Sequence, residues 1–261
     1  MAANEFGDVT VEIGEDHVAT VEMHRPPSNF FDTTLIRNIA DAYRWVDESN
    51  AGWAIVLCSE GKHFCAGADF HGASDAEPLD AQGASALYAE AVKMFSNQTP
   101  VVAALQGAAV GGGLGVACSA DFRFATPESR LSANFARLGF HQGFGLSVTL
   151  PLIVGHQRSL DLLYTGRRLT GEEAHTMGLV DRLVAADELR AAAHAFALEI
   201  AQSAPLAVRS IRQTLRGQLP AAIREITRHE DAEQVRLRAT ADFAEGTAAY
   251  GERRPANFTA S

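Results

Sequence analysis

The sequence is poor in cysteine, in basic residues relative to acidic ones, and in long apolar runs, and each shortage excludes a class of protein. Three cysteines, Cys58, Cys65 and Cys118, are too few for a disulfide framework and lack the spacing of metal ligands, which favours a reduced, cytoplasmic compartment. The 22 basic and 32 acidic residues give a net charge of −10, which argues against a nucleic-acid surface. No apolar run reaches the length of a membrane span, and the acidic N-terminal segment lacks the features of a signal peptide.

A further shortage is local. Between Gln98 and Ala120 the chain has no Asp, Glu, His, Lys or Arg. There an apolar run, Val101 to Leu105, leads into three consecutive glycines, Gly111 to Gly113. This pattern predicts a strand, a tight turn and a helix whose first N–H groups are not covered by side chains. Since such N–H groups bind anions, the turn predicts a binding cradle without a proton-transfer group.

The organisation changes along the chain. With 47% hydrophobic residues in 261, the chain can bury one large core. The first 130 residues alternate strand and helix patterns, and a further short strand is predicted near Phe135. Helix patterns dominate after Gln142. Asp32 or Thr33 is the predicted cap of the first helix, and Trp53–Cys58 is an unbroken apolar run that predicts a strand buried on both faces. Thr170 and Glu173 form a predicted capping box, and Asp187 is the predicted cap of the next helix. We therefore predict an α/β body followed by a helical end.

Four segments carry a resemblance to a known family. They are FCAGADF (64–70), TPVVAALQGAAVGGGLGVACSADFRFA (99–125), TGRRLTGEEAHTMGLVDRLV (165–184) and GERRPANF (251–258). In this order and spacing they resemble the enoyl-CoA hydratase/isomerase, or crotonase, family. The resemblance implies an α/β fold, with a crotonase-like spiral of ββα units over residues 1–200 and a C-terminal helical region over 201–261. It also implies a homotrimer or dimer of trimers, an acyl-CoA thioester as ligand, and no cofactor beyond the coenzyme A of the substrate.

The resemblance also assigns the binding residues. It implies that the backbone N–H groups of Ala68 and Gly112, beside Gly111, stabilise the thioester oxygen as negative charge develops on it. It places coenzyme A across the loop of Ala66, Ala68 and Phe70.

Two charged residues have an alternative interpretation. The resemblance places Arg25 near the coenzyme A phosphates, but Arg25 also suits a solvated surface position. Asp69 is either part of the binding loop or holds that loop through its backbone amides. Phe243, or Arg253 and Arg254 in the tail, are expected to close over a coenzyme A, and for the two arginines the alternative is a solvated helix end.

The family pattern is broken at two positions. Hydratases of the family use two glutamates, and the matching positions here hold Gly115 and Phe135. Neither residue can move a proton, so hydration is not expected, and Phe135 also argues against isomerisation. Phe135 and Phe140, with Phe144, predict an apolar acyl pocket, although core packing is an equal interpretation.

His141 is the candidate for proton transfer, since histidine titrates near neutral pH. The alternative is a histidine packed in an apolar loop. Decarboxylation, retro-Claisen cleavage or thioester hydrolysis suits the residues better than hydration. A catalytically silent acyl-CoA binding or carrier protein is the second hypothesis. The sequence leaves open whether residues 73–83 fold over the ligand.

Overall fold

In the computed structural model, which describes residues 4–68 and 85–261, strands dominate the first half of the chain and helices the second. The strands are β1 (Asn4–Phe6), β2 (Val9–Ile13), β3 (Val18–Met23), β4 (Ala54–Ser59), β5 (Val101–Leu105), β6 (Ala108–Val110), β7 (Phe122–Ala125), β8 (Arg130–Ser132), β9 (Leu169–Thr170) and β10 (Arg182–Leu183). The helices are α1 (Thr33–Ser49), α2 (Ala86–Phe95), α3 (Gly112–Ser119), α4 (Leu146–Val154), α5 (His156–Thr165), α6 (Gly171–Thr176), α7 (Leu189–Ala201), α8 (Pro205–Arg216), α9 (Leu219–Arg238) and α10 (Ala241–Glu252), with a 3₁₀-helix at Asn134–Leu138. The predicted α/β body with C-terminal helices is confirmed.

The described strands form two sheets. Seven strands lie in the order β1-β2-β3-β4-β5-β7-β10, antiparallel from β1 to β3 and parallel from β3 to β10. The second sheet has the order β6-β8-β9, with β6 parallel to β8 and β9 antiparallel to β8. Because β6 ends at Val110, this small sheet positions the glycine turn that follows it.

The parallel strands are buried on both faces, as their uninterrupted apolar sequence predicts. In β4, Ile55 and Leu57 belong to the core cluster that also contains the apolar face of α1, whereas Val56 and Cys58 belong to a second cluster with α7. Helix α1 begins where expected, because the Asp32 carboxylate accepts a hydrogen bond from the Leu35 N–H at 2.8 Å.

Arginine side chains of helix α8 contact the body. Arg212 and Arg216 form ion pairs with Asp121 at 3.0 and 2.8 Å. On its other side, the apolar side chains of α8 are exposed, among them Leu206 (77%) and Leu215 (79%). In the described chain this helix therefore has an apolar face without a partner.

Two local predictions are wrong. Phe135 lies in the 3₁₀-helix Asn134–Leu138 rather than in a strand, and an i to i+3 hydrogen bond from the Gly139 N–H to the Ala136 carbonyl at 3.2 Å closes this turn. Asp187 does not cap α7. A turn from Ala185 places Glu188 at the N-terminal boundary instead, with no side-chain cap.

The capping box of α6 is confirmed, with both of its hydrogen bonds present. The division of the chain at residue 200 stays a prediction. Among the described residues, no helix combines the length and apolar character needed to cross a membrane.

Candidate functional site

A mainly apolar cavity of about 240 Å³ lies where the end of β6, the 3₁₀-helix and the helices α2, α9 and α10 meet. Its described lining consists of Phe30, Phe31, Ala66, Gly67, Ala68, Leu87, Tyr88, Val110, Gly111, Gly112, Asn134, Phe135, Leu138, Phe140, Gly143, Phe144, Gln234, Arg238, Thr247, Tyr250 and Gly251. The cavity thus brings together Ala66, Ala68, Gly111, Gly112, Phe135 and Phe140 of the predicted site.

Ala68 presents its backbone N–H without a partner in the described chain. The preceding loop is held by backbone hydrogen bonds, including Ala66 N–H to Ser28 O at 2.9 Å and Phe31 N–H to Gly67 O at 3.0 Å. In a trans peptide the N–H points opposite to the C=O. Because the Gly67 carbonyl points toward Phe31, the Ala68 N–H points away from Phe31.

The glycine turn presents a second N–H group by the same geometry. Gly111 has a φ of +58°, and its carbonyl accepts hydrogen bonds from Leu114 at 3.0 Å and Gly115 at 3.2 Å. The Gly112 N–H, in the same peptide unit, therefore points out of the N-terminus of α3. It belongs to the first turn, where no intrahelical acceptor exists, and donates no hydrogen bond within residues 4–68 and 85–261.

Close packing explains the next two glycines. A Cβ atom on Gly112 would lie 2.2 Å from the Phe31 ring, and one on Gly113 would lie 2.2 Å from the Cys65 carbonyl oxygen. A side chain at either position would push the turn away from the loop of Ala66 to Ala68. Glycine is therefore needed for the approach of the two segments.

Aromatic rings occupy the space around the two positions where the family pattern has glutamate. A Cβ atom on Gly115 would lie 2.6 Å from the Phe144 Cβ and 2.8 Å from its ring. The rings of Phe135 and Phe140 are 5.4 Å apart, and Phe140 contacts Phe243 at 5.3 Å. None of the described lining residues is Asp or Glu.

Two polar residues that line the same cavity, Tyr88 and Gln234, cannot be identified from the sequence alone. The Tyr88 hydroxyl donates to Gln234 Oε1 at 3.1 Å, and Gln234 Nε2 donates to the His141 carbonyl oxygen at 3.0 Å. Burial raises the pKa of Tyr88 well above its ordinary value. Tyr88 and Gln234 lie on α2 and α9, 146 residues apart, and no local motif marks either one.

His141 and Arg25 do not line the cavity. The His141 ring contacts the His229 ring edge to face at 5.7 Å, and its Nδ1 lies 2.8 Å from the Gln142 carbonyl oxygen. Arg25 pairs with Asp8 at 2.7 Å and with Asp32 at 2.8 Å.

The segment that begins at Cys65 contains the remaining predicted binding residues. Burial raises the pKa of the Cys65 thiol to about 12, so it is neutral at physiological pH. Asp69, Phe70 and residues 73–83 lie outside the described residues. No group of three or more His, Cys, Asp or Glu side chains in the described chain is arranged to hold a metal ion.

Comparison with known proteins shows the family that the chain resembles. A model of the enoyl-CoA hydratase/isomerase family matches residues 14–261. A probable enoyl-CoA hydratase, echA8 of Mycobacterium tuberculosis, is 30% identical over 246 residues, which are 94% of this chain and 95% of that protein. A peroxisomal fatty acid beta-oxidation multifunctional protein of rice is 33% identical over 211 residues, and the match spans 29% of its length.

Solved structures extend the comparison to the fold. The crystal structure of an enoyl-CoA hydratase/isomerase from Pseudoalteromonas atlantica superposes with a TM-score of 0.85 at 26% identity, covering 97% of this chain and 100% of that one. This similarity confirms the predicted crotonase-like fold with its C-terminal helices.

Proposed function

This chain belongs to the enoyl-CoA hydratase/isomerase family, and we propose that it acts on an acyl-CoA thioester whose carbonyl oxygen is bound by the N–H groups of Ala68 and Gly112. The observation that supports this proposal is that Ala68 and Gly112 line the same mainly apolar cavity and neither N–H donates a hydrogen bond within the described chain. In such a setting, one oxyanion donor contributes about 3 kcal/mol to transition-state stabilisation. Coenzyme A enters as part of the substrate, and no other cofactor is proposed.

The proposed reaction is not hydration. Adding water across a double bond needs a positioned base and acid, and no carboxylate is among the described lining residues. Decarboxylation, retro-Claisen cleavage and thioester hydrolysis each form an enolate or a tetrahedral oxyanion that two N–H donors stabilise. Loss of CO₂ from a malonyl-type thioester forms the enolate directly. Decarboxylation therefore needs no side chain that removes a proton to form the enolate.

A catalytically silent acyl-CoA binding protein is the second candidate function. The titratable side chains among the described lining residues are Tyr88, Arg238 and Tyr250. Arginine stays protonated, and burial raises the pKa of Tyr88, so neither exchanges protons readily near neutral pH. A cavity that retains the N–H donors, but in which Arg238 and Tyr88 do not exchange protons, suits a protein that binds a thioester without turning it over.

Proton transfer by His141 stays a prediction. Its ring would have to leave His229 to reach a thioester in the cavity, although its carbonyl already contacts the cavity through Gln234. The roles of Ala66, Asp69 and Phe70 in binding coenzyme A also stay predictions. In the case of Arg25, two carboxylates already neutralise the guanidinium, so a phosphate would have to compete with them.

We also propose that the chain assembles as a homotrimer or dimer of trimers in the cytoplasm. The exposed apolar side chains of α8, Leu206, Ile211 and Leu215, support assembly because a second protomer would remove them from water. Measuring the molar mass of the wild-type chain and of Leu215→Glu by light scattering tests this, with a smaller species expected for the variant.

Two substitutions at Gly112 test the proposed N–H donor. Gly112→Ala and Gly112→Pro both bring a Cβ atom against the Phe31 ring, but only proline removes the N–H. Position 112 is the first residue of α3, where proline is tolerated. We expect kcat/KM to fall about 10²–10³-fold further in Gly112→Pro than in Gly112→Ala.

The assay follows the thioester and enoyl absorbance with crotonyl-CoA, malonyl-CoA and a β-ketoacyl-CoA. Equal rates for the two Gly112 variants would reject the donor role. Saturable binding without turnover of any thioester would favour the silent binder, and rapid hydration of crotonyl-CoA would refute the interpretation of Gly115 and Phe135. In the same assay, loss of turnover in His141→Ala but not in His229→Ala would support proton transfer by His141.

A further inference from the structure

A second, larger cavity adjoins the first. Its volume is about 1010 Å³, and its described lining shares Val110, Asn134, Tyr250 and Gly251 with the cavity that contains the N–H donors. The first cavity is mainly apolar, whereas the second is lined by arginines. The arginine side chains therefore lie on the far side of these four shared residues from the apolar cavity.

The second cavity has an excess of positive charge in the described chain. Four arginines line it, Arg137, Arg168, Arg253 and Arg254, and no described lining residue is Asp or Glu. Arg254 is already paired with Glu245 and Glu252. Arg168 and Arg253 are exposed and make no ion pair or side-chain hydrogen bond within residues 4–68 and 85–261. Arg137 donates through Nε to the Thr165 carbonyl at 2.7 Å, which leaves its two terminal amino groups for a ligand.

Arg137 lies close to the glycine turn. A Cβ atom built on Gly111 would lie 3.2 Å from Asn134 Oδ1. Asn134 and Arg137 share a side of the 3₁₀-helix, which repeats every three residues. A Cβ atom built on Gly166 would lie 3.2 Å from the Asn134 Cα and 3.0 Å from the Arg137 Cγ. Asn134 thus lies close both to the stem of Arg137 and to the turn that carries the Gly112 N–H.

We propose that the acyl group of the substrate ends in a carboxylate, which Arg137 binds together with Arg168 and Arg253. This inference rests on the proposed function and names its substrate class, the CoA thioesters of dicarboxylic acids. The apolar cavity takes the methylene segment of the acyl chain. Planar guanidinium groups match a carboxylate through paired N–H donors, so arginine is the suitable residue type.

The phosphates of coenzyme A are the other anions in such a ligand. The long pantetheine arm separates them from the thioester carbon. The arginine cavity, by contrast, begins at Val110 and Asn134, beside the turn that would hold that carbon. This proximity favours an anion on the acyl side of the thioester.

The test measures binding, so it does not depend on turnover. Dissociation constants for glutaryl-CoA and for pentanoyl-CoA, which ends in a neutral methyl group, are obtained by calorimetry. We expect the wild-type chain to prefer glutaryl-CoA about tenfold or more. Arg137→Gln/Arg168→Gln should lose that preference with little change for pentanoyl-CoA. Arg44→Gln, on the remote helix α1, should keep it.

The pantetheine thioesters of the same acids, which lack the CoA phosphates, identify the source of the anion. The proposal requires the glutaryl preference to persist in them. If the double variant weakens both CoA thioesters equally but neither pantetheine thioester, the arginines bind phosphate and the proposal is wrong. Tight binding without any preference for glutaryl overturns this inference alone, whereas no binding of any thioester overturns the proposed function as well.

Discussion

Two walls of the smaller cavity are built in different ways. The main-chain wall, residues 65–68 and 110–113, is held by hydrogen bonds between backbone groups, such as Gly111 N–H to Ser132 O at 2.8 Å. The side-chain wall consists of Tyr88, Phe135, Phe140, Phe144 and Gln234. Side chains of α2 and α9 hold it in place. In one case Glu230 of α9 accepts from the Gly145 N–H at 2.8 Å, immediately after Phe144.

This difference between the two walls assigns thioester binding to backbone groups and the type of reaction to side chains. Backbone groups are the same for every residue type, so the main-chain wall tolerates sequence change as long as its glycines allow the close approach. The side-chain wall depends on which residues its helices and loops supply. A family can therefore retain one way of binding a thioester while its members change the reaction through the side-chain wall.

Placing a carboxylate at position 115, against Phe144 of the side-chain wall, should have the largest effect. Gly115→Glu forces a buried side chain against Phe144, because a Cβ atom at position 115 would lie only 2.6 Å from the Phe144 Cβ. Because overpacking combines with an unpaired buried charge, we expect the free energy of unfolding to fall by about 4 kcal/mol. Urea denaturation measures it.

The control for this prediction is the double variant Gly115→Glu/Phe144→Ala. If Phe144 occupies the space of the missing glutamate, the loss in the double variant should be smaller than the sum of the two single losses by about 1–3 kcal/mol. Strict additivity would show that Phe144 and position 115 do not compete for space.

Removing one hydrogen bond from the side-chain wall should have a moderate effect. Tyr88→Phe leaves Gln234 Oε1 without its donor in a buried setting, so we expect a loss of about 1–2 kcal/mol in unfolding free energy. Tyr43→Phe is the matched control, because the buried Tyr43 hydroxyl has no hydrogen-bond partner in the described chain. A loss as large in Tyr43→Phe as in Tyr88→Phe would contradict this explanation.

The smallest effect is a pH dependence at Glu230. Burial raises the pKa of this carboxyl in the folded chain, relative to about 4.3 when unfolded. The folded state therefore holds more protons between the two pKa values, and stability falls as the pH rises through that window. We expect the stability of the wild-type chain relative to Glu230→Gln to decrease over this range.

Glu233 on the same helix provides a control of opposite sign. Its hydrogen bond with Arg236 lowers its pKa, so its contribution is lost as the pH falls. Thermal unfolding of Glu230→Gln and of Glu233→Gln, each compared with wild type from pH 3 to pH 8, measures both effects. A flat difference between wild type and Glu230→Gln would refute the role of burial at Glu230.

Much of the fold and half of the site follow from local patterns. The apolar runs of β4 and β5 predict buried parallel strands, and Asp32 and Thr170 predict their helix starts. The triple glycine predicts the turn and its free N–H groups. The failures occur where a distant contact or turn overrides the local pattern, as at Phe135, where the backbone turns into a 3₁₀-helix, and at Asp187.

By itself, the sequence determined the glycine turn of the main-chain wall, because glycines and apolar runs specify backbone conformation over a few residues, whereas the family resemblance assigned the loop of Ala66 to Ala68. Only the tertiary structure decided the polar contacts of the side-chain wall and the packing of its rings. The Phe144 ring against Gly115, the Tyr88–Gln234 hydrogen bond and the arginines beyond Asn134 join residues far apart in the chain. Such contacts depend on how helices pack, and packing is a property of the whole fold rather than of any segment.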